Sequence, residues 1–152
     1  GGHAMAAGLS LEEDKLAQFE QAFQQQVEQS LSADDLQAKL VTDGELHNAE
    51  MSMHTAELLR DSGPWGQLFP EPCFEGLFLI KQQRIVGEKH LKLVLAPHSE
   101  PTRNIDAICF NVDIQEWPND QAQTVRCVYR LDINEYRGQE TLQLMVQFIQ
   151  AC

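Results

Sequence analysis

The run HLKLVLA, residues 90–96, decides the fold class. Leu91, Leu93 and Leu95 recur at every second position, with His90, Lys92 and Val94 between them. Successive side chains of a strand point to opposite faces, so this run buries its leucines and presents the alternate positions outward. Four more runs share the short period: FEGLFLIKQQRIV (74–86), NIDAICFNV (104–112), TVRCVYRLDI (124–133) and TLQLMVQFI (141–149). In TVRCVYRLDI, Val125, Cys127, Tyr129 and Leu131 share one face and Arg126, Val128 and Arg130 the other. In the last run Leu142, Leu144, Val146 and Phe148 fall on one face, and Gly76 is a candidate bend in the first. Five strands joined by turns, with no helix between them, predict a small closed barrel of the five-stranded oligonucleotide/oligosaccharide-binding type. An open five-stranded sandwich fragment is the alternative.

Upstream the period lengthens to that of a helix. Leu16, Phe19, Phe23, Val27 and Leu31 form an apolar stripe over 11–31, and Ser10 with Glu13 has the spacing of a capping box. Ser32 and Asp35 are placed to cap a short second helix through Leu36. KLVTDGEL (39–46) reads as a strand broken at Asp43-Gly44, and 49–61 as a helix stopped by Gly63 and Pro64. GPWGQLFPEP is then a rigid connector carrying Trp65 and Phe69. The expected class is α+β, a helical N-terminal fragment followed by a barrel, with the boundary near 63–72.

The net charge of −12 argues against nucleic acid until it is mapped. Residues 1–62 hold 12 acids and three bases, whereas 63–152 hold 11 acids and eight bases. Lys81, Arg84, Lys89 and Lys92 fall within 12 residues opposed by Glu88 alone. A groove for single-stranded nucleic acid needs cations along the phosphates and aromatic faces for the bases. His90 and Lys92 project from one strand face, Arg126 and Arg130 from another, and Arg84, Lys89 and Arg137 lie at strand ends or turns. Phe110, Trp117, Tyr129 and Tyr136 are the available aromatics, with Tyr129 in register with core positions. No serine–histidine elbow and no carboxylate cluster offers catalysis within 63–152, and the lone strand carboxylate Asp106 is not a mechanism. The four cysteines lack metal-ligand spacing, which suits a reducing, cytoplasmic setting. No apolar run approaches membrane-spanning length.

GGHAMAAG (1–8) reads on its chemistry either as a cloning scar or as a glycine cradle for a phosphate. The octet resembles the Gly-Gly-His motif of the DHH-associated domain in DHH-superfamily phosphoesterases. GGHAMAAGLSLEED, LLRDSGPWGQLFPEPCFEG, RIVGEKHLKLVL, IDAICFN and YRLDINEYRGQETLQL together resemble, in order, the C-terminal portion of the RecJ-type single-strand-specific 5′→3′ exonucleases. The resemblance favours the cradle. It implies that 1–40 is the C-terminal part of a DHH-associated domain, 41–69 a connector, and 70–152 an OB-fold domain holding single-stranded DNA. Gly1, Gly2 and His3 would grip substrate phosphate. The hydrolytic Mn2+ or Mg2+ site would lie in an N-terminal domain outside this chain, which itself would bind no cofactor and hydrolyse nothing. Lys89, His90 and Lys92 are the first candidates for DNA contact, followed by Arg84, Arg126, Arg130 and Arg137, with Tyr136 as a base platform. The alternative is a protein-interaction module docking a single-strand-binding protein or another repair factor.

Overall fold

The computed structural model describes the backbone of residues 2–3 and, in full, residues 6–32, 34–37 and 39–152. The chain divides into two units, Gly1–Lys39 and Leu40–Cys152.

In the first unit Gly2–His3 pair antiparallel with Ala6–Ala7, and a 3-10 turn at Glu13–Lys15 leads into α1, Leu16–Ser30. The capping box expected of Ser10 and Glu13 does not form. Backbone is still extended at Glu12 (φ −71°, ψ 141°), so Ser10 lies too far ahead of the first helical turn, and neither element has a side-chain cap. A reciprocal box does form downstream. Asp35 Oδ2 accepts from Ser32 N and Oγ at 2.8 and 2.6 Å, and Asp35 N donates to Ser32 Oγ at 3.3 Å. It closes a turn at 34–36 rather than the expected helix, and the Ser32 hydroxyl and N–H hold the Asp35 carboxyl below its usual range.

The second unit is a closed barrel of β1 (Phe74–Val86), β2 (His90–Pro97), β3 (Ile105–Cys109), β4 (Thr124–Tyr136) and β5 (Gln139–Ala151). Around the barrel the order is β1-β2-β3-β5-β4, with β4 closing on β1. Every pair is antiparallel except β3 with β5. The five runs of alternating residues become the five strands, and the sheet closes rather than forming an open sandwich. Phe78, Leu91, Leu93, Leu95, Ala107, Val125, Cys127, Tyr129 and Leu144 fill the interior. Burying a large apolar side chain of this kind contributes about 1.5–3 kcal/mol. Burial also pushes the Cys127 thiol and the Tyr129 phenol well above their ordinary pKa values.

Two irregularities re-aim the strands. The β1–β2 register shifts between Ile80 and Gln82, so β1 bends at Lys81 rather than at Gly76. Gly76 serves packing instead, because a Cβ there would sit 3.0 Å from Phe78 Cε2. In β5, Val128 faces Phe148 while Tyr129 faces Val146, which leaves Gln147 as an extra residue. One extra residue inverts the alternation beyond it. Phe148 therefore leaves the face it was expected to share with Leu144 and Val146 and is 44% exposed, while Ile149 packs against the core.

A second helix, α2 (Met53–Asp61), packs on β4 and β5. It starts at 53 rather than 49 because Ser52 is its cap, with Oγ accepting from Thr55 N at 3.2 Å. The 39–46 segment is not the expected strand. Gly44 takes φ 94°, and Asp43 supplies a side-chain acceptor where a strand partner would supply a carbonyl. Cys73 N donates to Asp43 Oδ2 at 2.9 Å, Asp43 N to the Cys73 carbonyl at 2.7 Å, and Glu75 N to the Gly44 carbonyl at 3.0 Å. In the connector the Trp65 and Phe69 rings lie 4.9 Å apart, and Trp65 Nε1 donates to the Leu59 carbonyl at 3.0 Å. No helix among the described residues is long and apolar enough to cross a membrane.

Candidate nucleic-acid interface

Burial of Leu91, Leu93 and Leu95 fixes His90, Lys92 and Val94 on the outer wall. Pairing then places Arg84 opposite Lys92 and Val86 opposite His90 on one side, and Ile108 opposite Lys92 on the other. Directly opposed outer residues of neighbouring strands have Cβ atoms about 4.5–5.5 Å apart, so Arg84 and Lys92 form one cationic step. A shallow depression of about 220 Å³ lies over Gln82, Arg84, Lys92, Val94 and Asp106.

The loop at 87–89 carries Lys89 beside this step. Gly87 opens it in the left-handed region, φ 63°. The residues after β3 fold back against the same loop: Val112 N donates to the Lys89 carbonyl at 3.0 Å, and Asn111 N to His90 Nδ1 at 3.3 Å. That docking sets the exposed Phe110 ring edge-on to His90, with centroids 5.0 Å apart and planes at 72°. Two rings and a lysine thus meet at one end of the β1–β2–β3 wall. Phe110 is legible as an available aromatic; its pairing with His90 depends on the turn after β3 folding against β2 and is not.

The cations differ in what already holds them. Lys92 Nζ lies 2.9 Å from Asp106 Oδ2. Lys81, Arg84 and Lys89 are exposed and have no carboxylate at ion-pair distance among the described residues. On the β4–β5 wall, Arg130 Nη1 reaches Glu71 Oε2 at 2.9 Å and Arg126 Nη1 lies 3.8 Å from Glu75 Oε2. The sequence-predicted residues are therefore split. Arg84, Lys89, His90 and Lys92 share one wall, and Arg126 and Arg130 stand on another.

Tyr136 and Arg137 occupy the β4–β5 hairpin tip. Arg137 (φ 52°) and Gly138 (φ 75°) form a two-residue turn with both residues left-handed, and Arg137 Cζ sits 5.2 Å from the Tyr136 ring centroid. A second depression of about 500 Å³ lies over Arg103, Asp106, Glu140 and Thr141, and Asp106 is common to both depressions. Arg103 donates to the Asn48 and Met51 carbonyls there. The outer track therefore runs from the base of the β4–β5 hairpin, past Asp106, to Arg84 and Lys92. Gly1 and the His3 side chain lie outside the described residues, as does any account of Gly2 beyond its backbone pairing. Among the described residues no three His, Cys, Asp or Glu side chains converge as a metal site.

A closed barrel of this strand order, with one parallel pair between its third and fifth strands, is an oligonucleotide/oligosaccharide-binding (OB) barrel. Such barrels bind across the β2–β3 face between the β1–β2 and β4–β5 loops. Residues 42–147 match the RecJ OB domain, and the chain belongs to that family. It is 52% identical over 149 residues to the single-stranded-DNA-specific exonuclease RecJ of Escherichia coli strain K12, covering 98% of this chain and 26% of that protein. It is 45% identical over 152 residues to the RecJ of Haemophilus influenzae, again covering 26% of the relative. The chain thus spans about a quarter of the length of these relatives. The crystal structure of RecJ in complex with Mn2+ from Thermus thermophilus matches 100% of this chain and 22% of its own, with a TM-score of 0.66 at 18% identity. The Mg2+ complex from the same source matches with a TM-score of 0.62.

Proposed function

We propose that this chain is the DNA-holding segment of a metal-dependent 5′→3′ single-stranded-DNA exonuclease of repair and recombination, working in the cytoplasm. The observation that carries the reading is the pair of exposed cations Arg84 and Lys89, without a carboxylate at ion-pair distance among the described residues, beside the His90–Phe110 ring pair, with Lys81 further back along β1. Cations without a protein partner are free to replace the counterions of phosphates, and an exposed ring offers a base a stacking face worth about 1–3 kcal/mol. Lys92 joins them by exchanging Asp106 for a phosphate oxygen. Tyr136 and Arg137 reach the strand at the far end of the track. In this reading residues 1–40 are the tail of a DHH-associated domain, and Gly1, Gly2 and His3 grip phosphate beside a Mn2+ or Mg2+ centre in the remainder of the protein. Hydrolysis then belongs to the longer enzyme, and this chain alone only binds.

Fluorescence anisotropy with a labelled single-stranded oligonucleotide tests the reading. Binding is expected to weaken as salt rises, with log K falling by about 0.7 per phosphate contact for each tenfold change in salt. Folded chain that shows no binding at low salt would sink the proposal.

A further inference from the structure

The barrel wall is unlaced where β3 leaves β5. Their parallel pairing ends at Cys109 opposite Val146, yet β5 continues to Ala151 with β4 on its other side. Among the described residues nothing pairs with the exposed edge of β5 beyond Val146. Alternate residues of an antiparallel strand turn their N–H and C=O groups away from the neighbour. Cys152 N donates to the Thr124 carbonyl of β4, so Gln150 and Phe148 also face β4, while Ile149 and Ala151 turn their backbone outward. The edge sequence Gln-Phe-Ile-Gln-Ala has no charge and no proline, the usual protections of an unpaired edge.

A groove of about 720 Å³ lies along this edge, lined across from it by Glu116, Trp117, Asn119 and Asp120 and on the strand by Phe148 and Ile149. It continues past Trp117 to Phe110 and Asp113. No lysine or arginine lines either part, so the charge is opposite in sign to that of the Arg84–Lys89 wall.

We infer that the β5 edge from Gln147 to Ala151 is a strand-addition site for an extended segment of a partner protein that alternates apolar and cationic side chains. Backbone hydrogen bonds to Ile149 and Ala151 would hold the segment, its apolar residues would cover Phe148, and its cations would meet Asp113, Glu116 and Asp120. A second copy of this chain fits worse, because its own edge brings no cation and its acids would face like charges. The inference does not rest on the DNA-binding proposal, although Phe110 borders both surfaces.

Amide hydrogen exchange read by NMR on the 152-residue chain tests it. The probes are a capped decapeptide alternating lysine and valine, its glutamate–valine counterpart, and a lysine–valine peptide with every backbone nitrogen methylated. The lysine–valine peptide is expected to slow exchange at Ile149 and Ala151 at least about tenfold, and the other two to leave it unchanged. A Glu116→Lys/Asp120→Lys variant should lose the first peptide and gain the glutamate one. Equal binding of the methylated peptide would reduce the effect to charge attraction and overturn the inference. So would protection that grows with protein concentration alone, protection by a single-stranded oligonucleotide, or no protection by any peptide.

Discussion

The barrel's β1–β2–β3 wall and its β4 wall both carry outward cations, and they dispose of them differently. Arg126 and Arg130 are matched by Glu75 and Glu71, which arrive from the start of β1 and from the connector before it. On the first wall Lys92 is matched by Asp106, but Arg84, Lys89 and Lys81 have no such match among the described residues. Arg130, hydrogen-bonded to Glu71 at 2.9 Å, must break that bond before it can hold a phosphate. Arg126 has only a long 3.8 Å contact with Glu75, and an unmatched cation is already available. The interiors differ as well. β2 contributes leucines and Ala96 to the core and β3 adds the ionisable Cys109, whereas β4 contributes Cys127 and Tyr129, the two groups that burial shifts furthest.

The largest expected effect separates those interiors. Burial raises the pKa of both Cys127 and Tyr129, so above about pH 9 the unfolded chain releases protons that the folded chain retains. Stability contributed by these groups is fully present below their unfolded pKa values and declines above them, by up to about 1.4 kcal/mol per pH unit for each. Urea unfolding from pH 7 to 11 should show the decline, and Cys127→Ala should remove one share of it. Next, Arg84→Glu/Lys89→Glu is expected to weaken oligonucleotide binding about 10- to 100-fold, with an unchanged denaturation midpoint and a shallower salt dependence. The matching reversal of Arg126 should move affinity far less.

Phe110→Ala is expected to cost about 1 kcal/mol of binding, the low end of the stacking range, measured by the same titration. Arg130→Ala should do the converse, losing about 1 kcal/mol of stability in urea with little change in affinity, since its partner Glu71 is removed from bulk water only in part. The smallest effect is at the hairpin tip. Arg137→Asn should gain about 0.5 kcal/mol, because asparagine tolerates the left-handed region better.

The strands were legible because alternation is a property of the local sequence, and HLKLVLA and TVRCVYRLDI carry it without interruption. The extra residue at Gln147 was not legible, because a bulge is defined by the partner strand's register, and it moved Phe148 from the core to the surface. The N-terminal box at Ser10 and Glu13 had the right spacing with the helix starting later, so spacing alone could not place it. At the site, the local density of bases from Lys81 to Lys92 was visible in the sequence. Which bases were already held was not, because Glu71 lies 59 residues from Arg130 along the chain.

Amide chemical-shift mapping of the chain against a single-stranded oligonucleotide asks directly which wall holds DNA. Shifts concentrated at 81–92 and 108–111, with a smaller set at Tyr136 and Arg137, are the predicted result. Shifts centred on Glu71, Glu75, Arg126 and Arg130, with residues 81–92 unmoved, would contradict it.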